Sequence, residues 1–269
     1  MREPSAGDRI PIIATALALS VAALTGMVGV AVADVVAGEA GPVADDDRQA
    51  EVSELAATLF EPPTELWRQL AASSADDDPV GRLAKGVLAL DAGRPDDARL
   101  LLEAACENPA APYAHYYLAR LALERGDPEA ALDAIRETIR VRRDFAAAYR
   151  LLGHAHLALG ADHNAFSAFR TVIALSPGNA FSHLELGRAY LERGRPRHAV
   201  VELGRTLELD PALVEARFLL GRAQLNAGCV EEGFGELERY VQEARDIPGE
   251  EERVARARLL LRRFAGATD

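Results

Sequence analysis

Small and large apolar residues recur along the middle of this chain in a fixed order, at intervals of 33, 34, 34 and 34 residues. Counted from units that begin at Pro79, Pro112, Ala146, Ala180 and Val214, the eighth position is small (Gly86, Ala119, Gly153, Gly187, Gly221) and the twelfth is leucine (Leu90, Leu123, Leu157, Leu191, Leu225). The twentieth is small again (Ala98, Ala131, Ala165, Ala199, Gly233), and four positions on comes a bulky residue (Leu102, Ile135, Phe169, Leu203, Leu237). Small residues at this spacing let two antiparallel helices approach closely, and the bulky residue fills the space beside them. Between the halves of each unit stands a glycine (Gly93, Gly126, Gly160, Gly194, Gly228), where a left-handed residue ends the first helix at no Cβ cost. Pro95, Pro128 and Pro196 follow two residues later, in the first turn of a second helix, where a missing N–H loses no intrahelical bond. The pattern predicts five helical hairpins, each a helix A and a helix B, stacked into a solenoid.

These columns, with Pro177 and Pro211 closing their units at the thirty-second position, resemble the tetratricopeptide repeat, a 34-residue helix-turn-helix unit. The stretch from Ala180 to Pro211 fits best; the first unit is one residue short, and the fifth carries Gly233 and Gln224 where alanine and an aromatic are more typical. The resemblance covers residues 79–247. It implies an all-α fold, a right-handed superhelical solenoid of about five helix pairs with a concave face lined by the A helices. It implies a protein or peptide partner and no single activity.

The flanks differ in character. Residues Ile10 to Ala33 carry no charged side chain, and at about 1.5 Å per residue they are long enough to cross a hydrocarbon core of roughly 30 Å. Arg2 and Arg9 precede the stretch, whereas Asp34, Glu39 and Asp45 to Asp47 follow it. The positive-inside rule then places residues 1–9 in the cytoplasm, 10–33 as a transmembrane helix, and the repeats on the extracytoplasmic side of the cytoplasmic membrane. Ala31-Val32-Ala33 leaves a cleaved signal sequence as the alternative, and that also exports the repeats. Residues 34–47 read as a flexible acidic linker. Residues 48–78 read as a helical N-cap or linker, with Leu55, Leu59, Leu66, Trp67 and Leu70 at helical spacing. Residues 248–269 read as a capping helix, acidic first and arginine-rich late, with Val254, Ala257, Leu260, Leu261 and Phe264 turned to the last repeat.

Charge narrows the partner. A net charge of −12 disfavours nucleic acid, which requires a basic surface. The two cysteines, Cys106 and Cys229, fall in the first and fifth units, too far apart for a disulfide, and are expected as buried small hydrophobes. His154, His156 and His163 crowd the third unit, but residues two apart on a helix diverge, so no metal site is expected. His115, Tyr149 and His183 share a column and suggest a stacked interior ladder. No phosphate loop, zinc-protease pattern or nucleophile elbow occurs, so neither cofactor nor enzyme activity is expected.

The candidate binding surface lies on the A helices. The ninth position reads Val87, Arg120, His154, Arg188 and Arg222; the fifth reads Leu83, Tyr116, Arg150, Leu184 and Phe218; the second reads Val80, Tyr113, Ala147, Phe181 and Glu215. Arginines interleaved with aromatics suit an extended peptide, the guanidinium groups taking carboxylates or carbonyls and the rings taking apolar side chains. The expected groove residues are therefore Arg120, His154, Arg188, Arg222, Tyr113, Tyr116, Arg150, Phe181 and Phe218. The competing reading pairs Arg120 and Arg188 with Glu124 and Glu192, four residues on, as solvated ion pairs worth about 0.3–0.5 kcal/mol. The family's subset that clamps a chaperone C-terminus with Lys, Asn and Arg is not indicated, because these columns lack asparagine. The expected function is a membrane-anchored scaffold that binds a peptide or protein and assists assembly of an envelope complex. The alternatives are a self-associating structural subunit, and hence a homo-oligomer, or an accessory subunit of an envelope enzyme.

Overall fold

The computed structural model describes residues 64–74, 78–106 and 111–265, which belong to one compact unit, Thr64–Asp269. The expected membrane span at 10–33, the acidic linker at 34–47 and the first half of the 48–78 segment lie outside the described residues. Among the described residues no helix is long and apolar enough to cross a membrane.

Helix α1 (Thr64–Ser73) precedes five hairpins: α2 (Pro79–Asp91) with α3 (Pro95–Ala105), α4 (Ala111–Glu124) with α5 (Pro128–Val141), α6 (Ala146–Ala158) with α7 (Asp162–Leu175), α8 (Ala180–Glu192) with α9 (Pro196–Leu209), and α10 (Val214–Ala227) with α11 (Val230–Ala244). Helix α12 (Glu251–Ala265) closes the series. Each A helix packs on its own B helix and on the B helix of the unit before, so the hairpins stack in chain order.

The five turn glycines all have positive φ, from 66° to 89°. At each, the glycine N–H returns to a carbonyl three residues back and the next N–H to one five residues back, as in Gly194 to Leu191 and Arg195 to Tyr190. This paired capping satisfies carbonyls that would otherwise end helix A unpaired. Asp127 caps α5 by accepting from the Ala130 N–H at 3.0 Å, and Asn179 caps α8 by accepting from the Phe181 N–H at 2.9 Å.

Within each unit the eighth and twenty-fourth positions interlock. A Cβ on Gly86, Gly153, Gly187 or Gly221 would lie 2.6 to 2.9 Å from the side chain of Leu102, Phe169, Leu203 or Leu237 respectively. The five bulky residues are at most 1% exposed, and full burial of each contributes on the order of 2 kcal/mol. A further buried column sits at position 27: Ala105, Thr138, Val172, Thr206 and Tyr240. The two threonines are admitted because their hydroxyls donate to carbonyls of their own helix, Thr138 to Ala134 at 3.1 Å and Thr206 to Glu202 at 3.0 Å.

At the ends, Trp67 of α1 is buried edge-on against Tyr117 of α4, with ring centroids 5.8 Å apart. Val254 and Ala257 of α12 are buried in the core that runs from Phe166 through Phe218 to Tyr240, and Leu260 and Leu261 pack against it.

The cysteines are both free. Cys229 departs from the expectation of burial: it is exposed, because it occupies the turn before α11 rather than a helix face. Cys106 is half-buried; burial, reinforced by the Glu103 carboxylate, pushes its thiol up to about 11, which keeps it protonated and unreactive.

Candidate functional site

The nine expected groove residues separate into two sets. Tyr113, Tyr116 and Phe218 are 2 to 3% exposed and belong to the core. Tyr113 and Tyr116 pack on Phe145, at centroid distances of 5.4 and 5.1 Å, and Phe218 packs on Tyr240 at 5.2 Å. These three are corrected from ligand contacts to packing residues: stacking of the adjacent helices covers the rings before a partner could reach them. The Tyr113 hydroxyl accepts from Arg142 at 3.0 Å.

The other six remain within reach of solvent. Phe181, at the start of α8, is 59% exposed and the only one of the four aromatics left on the surface. Arg120, His154, Arg188 and Arg222 occupy equivalent positions on α4, α6, α8 and α10, and Arg150 lies one turn before His154. Neighbouring A helices meet along this row through ion pairs. Arg120 reaches Asp91 of the preceding A helix at 3.8 Å and Glu124 of its own at 3.2 Å. Arg150 and His154 both approach Glu185 of the next A helix, at 3.8 and 3.5 Å. Arg188 passes over the expected Glu192 and pairs instead with Glu215 of α10 at 2.7 Å. From Arg120 to Arg188 the row is thus an alternating band of acids and bases, in which carboxylates of neighbouring A helices position the basic side chains. The missed acids, Asp91 and Glu185, stand in different columns from one another, and Glu215 stood in the second column without being matched to Arg188, so only the stacking brings these acids to their basic partners.

Burial opposes the charge on the Glu185 carboxyl, but the His154 contact and the nearby Arg150 and Arg188 guanidinium groups outweigh it and hold that carboxyl below its usual range. Arg222 behaves oppositely: burial and the neighbouring Arg256 disfavour its charge, while Glu192 supports it. Its guanidinium lies 5.5 Å from the centre of the Phe218 ring, so the buried ring still shapes the surface above it.

The expected ladder of His115, Tyr149 and His183 does not form, since no ring contact joins them. His183 instead meets Glu202 at 2.9 Å, and Arg217 in the same column meets Glu236 at 3.0 Å, each tying an A helix to its own B helix. His154 packs edge-on against Phe169 at 5.3 Å. Among the described residues no three His, Cys, Asp or Glu side chains are grouped to hold a metal.

The model of the tetratricopeptide repeat family matches residues 83–140, 116–180 and 184–248. No curated protein sequence gives a significant match. Among solved structures the chain is similar to TTC0263, a thermophilic TPR protein of Thermus thermophilus, at 27% identity over 68% of this chain and 100% of that one, with a TM-score of 0.54. It shares its fold with MamA of Desulfovibrio magneticus RS-1, at 16% identity over 71% of this chain and 100% of that one, with a TM-score of 0.55. It also shares its fold with YrrB, described as a TPR protein with an unusual peptide-binding site, at 15% identity over 69% of this chain and 95% of that one, with a TM-score of 0.53.

Proposed function

Because the chain belongs to the tetratricopeptide repeat family, we propose that it is a scaffold that holds a peptide or protein partner along the A helices and does no chemistry on it. The observation that carries this reading is the row of basic side chains on four successive A helices, Arg120, His154, Arg188 and Arg222, with exposed Phe181 beside it. An exposed phenylalanine among charged groups offers an apolar anchor within a polar rim, the composition at which binding energy concentrates. A peptide-binding site is also what YrrB, of the same fold, is described as having.

In this reading residues 10–33 anchor the protein in the cytoplasmic membrane, Arg2 and Arg9 keep the N-terminus inside, and the solenoid works on the extracytoplasmic side to assemble an envelope complex. The net charge of −12 speaks for a protein partner over nucleic acid.

The test is affinity capture from solubilised membranes with the full-length protein, beside the combined variant His154→Ala, Phe181→Ala, Arg188→Gln. The variant is expected to keep its helicity and to melt no more than about 6 °C below the native chain, the effect of roughly 1–1.5 kcal/mol from the lost ion pairs to Glu185 and Glu215, and to lose the partner that the native chain retains. Equal capture by both proteins would refute the groove assignment.

A further inference from the structure

The B helices do not share one charge pattern. Helix α5 carries three carboxylates and two arginines, and α11 five carboxylates and one arginine. Between them in the stack the balance reverses: α7 (residues 162–175) and the turn into α9 with α9 itself (residues 193–209) hold three carboxylates and five arginines. All three carboxylates are engaged, Asp162 by Arg193 at 3.0 Å, Glu202 by His183 at 2.9 Å and Glu208 by Arg205 at 2.7 Å. Glu192, at the end of α8, lines a separate cleft between α8, α10 and α12 with Arg222 and Arg256. Arg170, Arg195 and Arg197 are left over: all three are exposed, and among the described residues none of them meets a carboxylate.

Aromatic rings, not acids, place two of these cations. Arg170 donates to the Tyr190 hydroxyl at 2.7 Å. The Tyr190 ring lies against Phe166 and His198, with centroids 4.4 and 5.1 Å apart, and the Arg195 guanidinium stands 5.1 Å from the centre of Phe166. Phe166 and Tyr190 are 4% and 2% exposed, so this platform is fixed by the core. A guanidinium held by a ring or a hydroxyl keeps its charge available and needs little further ordering when a partner arrives. Arg195 and Arg197 also flank the start of α9, whose first turn has no acid, whereas those of α3, α5, α7 and α11 each have at least one. Cations there add to the positive end of the helix dipole.

We propose that α7 and the first half of α9 form a docking surface for an acid-rich segment of a partner protein, its carboxylates taken by Arg170, Arg195 and Arg197. The surface lies on the B helices and shares no residue with the A-helix row, so it goes beyond the groove reading. Charge complementarity selects the occupant. In a chain of net charge −12, a surplus of cations confined to two helices attracts an anion, while acid-rich α5 and α11 repel one on either side. That border admits a narrow segment laid along α7 and α9 and opposes a broad anionic surface such as a membrane. Three arginines also fall short of the cluster of about four to eight basic residues that holds a protein to anionic lipid. Distributed over two helices and a turn, they suit several spaced carboxylates better than one phosphate.

Fluorescence anisotropy on the full-length protein in a non-ionic detergent tests this with a ten-residue peptide of alternating aspartate and glutamate, amidated and carrying an uncharged dye. The acidic peptide is expected to bind saturably, and the matched peptide of asparagine and glutamine not at all. Raising salt from about 50 to 300 mM should weaken binding several-fold. The combined variant Arg170→Gln, Arg195→Gln, Arg197→Gln should weaken it about tenfold or more, while lysine at the same three positions should retain most of it, which separates lost charge from lost fold. Arg239→Gln, on acid-rich α11, should leave binding within about twofold. No saturable binding, equal binding of the amide peptide, or an unaffected glutamine variant would each overturn the proposal. So would stronger competition by glycerophosphoglycerol, a soluble lipid headgroup, than by unlabelled peptide at equal charge, or a dimer seen by light scattering that the glutamine variant abolishes. The capture variant His154→Ala, Phe181→Ala, Arg188→Gln should bind the acidic peptide as the native chain does; loss there would move the binding to the A helices and also overturn the assignment. The two readings therefore fail separately, since each variant leaves the other surface intact.

Discussion

Glycines that look alike in sequence are held to different tasks. At Gly153 an added Cβ would lie 2.6 Å from the ring of Phe169, which is 1% exposed and cannot swing aside. At Gly204, inside α9, nothing lies within 4 Å of the same methyl. Gly153→Ala should therefore destabilise by about 1–3 kcal/mol through overpacking, while Gly204→Ala should stabilise by about 0.5–1 kcal/mol because alanine loses less backbone entropy in a helix. Urea unfolding of the two variants, with unchanged slope, separates them by sign. Equal effects would mean the helix crossing is looser than the interlocked side chains indicate. The buried tyrosines give the same lesson from the other side, since Tyr116 and exposed Phe181 both stood in columns assigned to the groove, and burial alone divides them.

Between elements, the joints along the A helices are electrostatic. Glu185 ties α8 to α6 through His154 and Arg150, and its carboxyl is held below the ordinary value of 4.5 despite burial. A carboxyl with a depressed folded value binds its proton less readily in the native state than in the unfolded chain. The stability it contributes is therefore complete above that ordinary value and is lost as pH falls through the lower folded value. Glu185→Gln should flatten the acid limb of the stability curve while leaving its shape above pH 5 intact. Urea midpoints from pH 2.5 to 7 give the answer, and an acid limb as steep as that of the native protein would show that Glu185 is not one of its sources. The surface pairs elsewhere, such as Arg136 with Asp133, are too exposed to shape such a curve.

For the molecule as a whole, stability in a stack of repeats is local, because each hairpin touches only its neighbours. The cap covers the last hairpin with Val254 and Ala257 buried and Leu260 and Leu261 packed beside them. A chain ending at Gly249 should lose roughly 2–4 kcal/mol of apolar burial, concentrated at the C-terminal end. Hydrogen exchange should speed up first in α10 and α11 and leave α2 to α5 as before. Uniform acceleration would mean that the stack unfolds as one cooperative body. The same truncation removes Gly249's neighbours in the cap, among them Glu252, Arg253 and Arg256, from the cleft they line with α8 and α10.

The period, the five turn glycines, the interlocking small and bulky columns and the order of the helices were legible in the chain, since each follows from a residue's own backbone freedom or volume at a fixed spacing. The position 27 column was equally periodic and could have been read the same way; Thr138 and Thr206 hid it, being polar residues buried by bonding to their own helix. Tertiary structure alone decided which of the groove aromatics stay exposed, that Arg188 turns to Glu215 instead of Glu192, and that Arg222 and Arg256 line one cleft. Those outcomes depend on how close one hairpin lies to the next and where the cap lands. A spacing along the chain fixes what each helix presents, but only packing fixes what it meets.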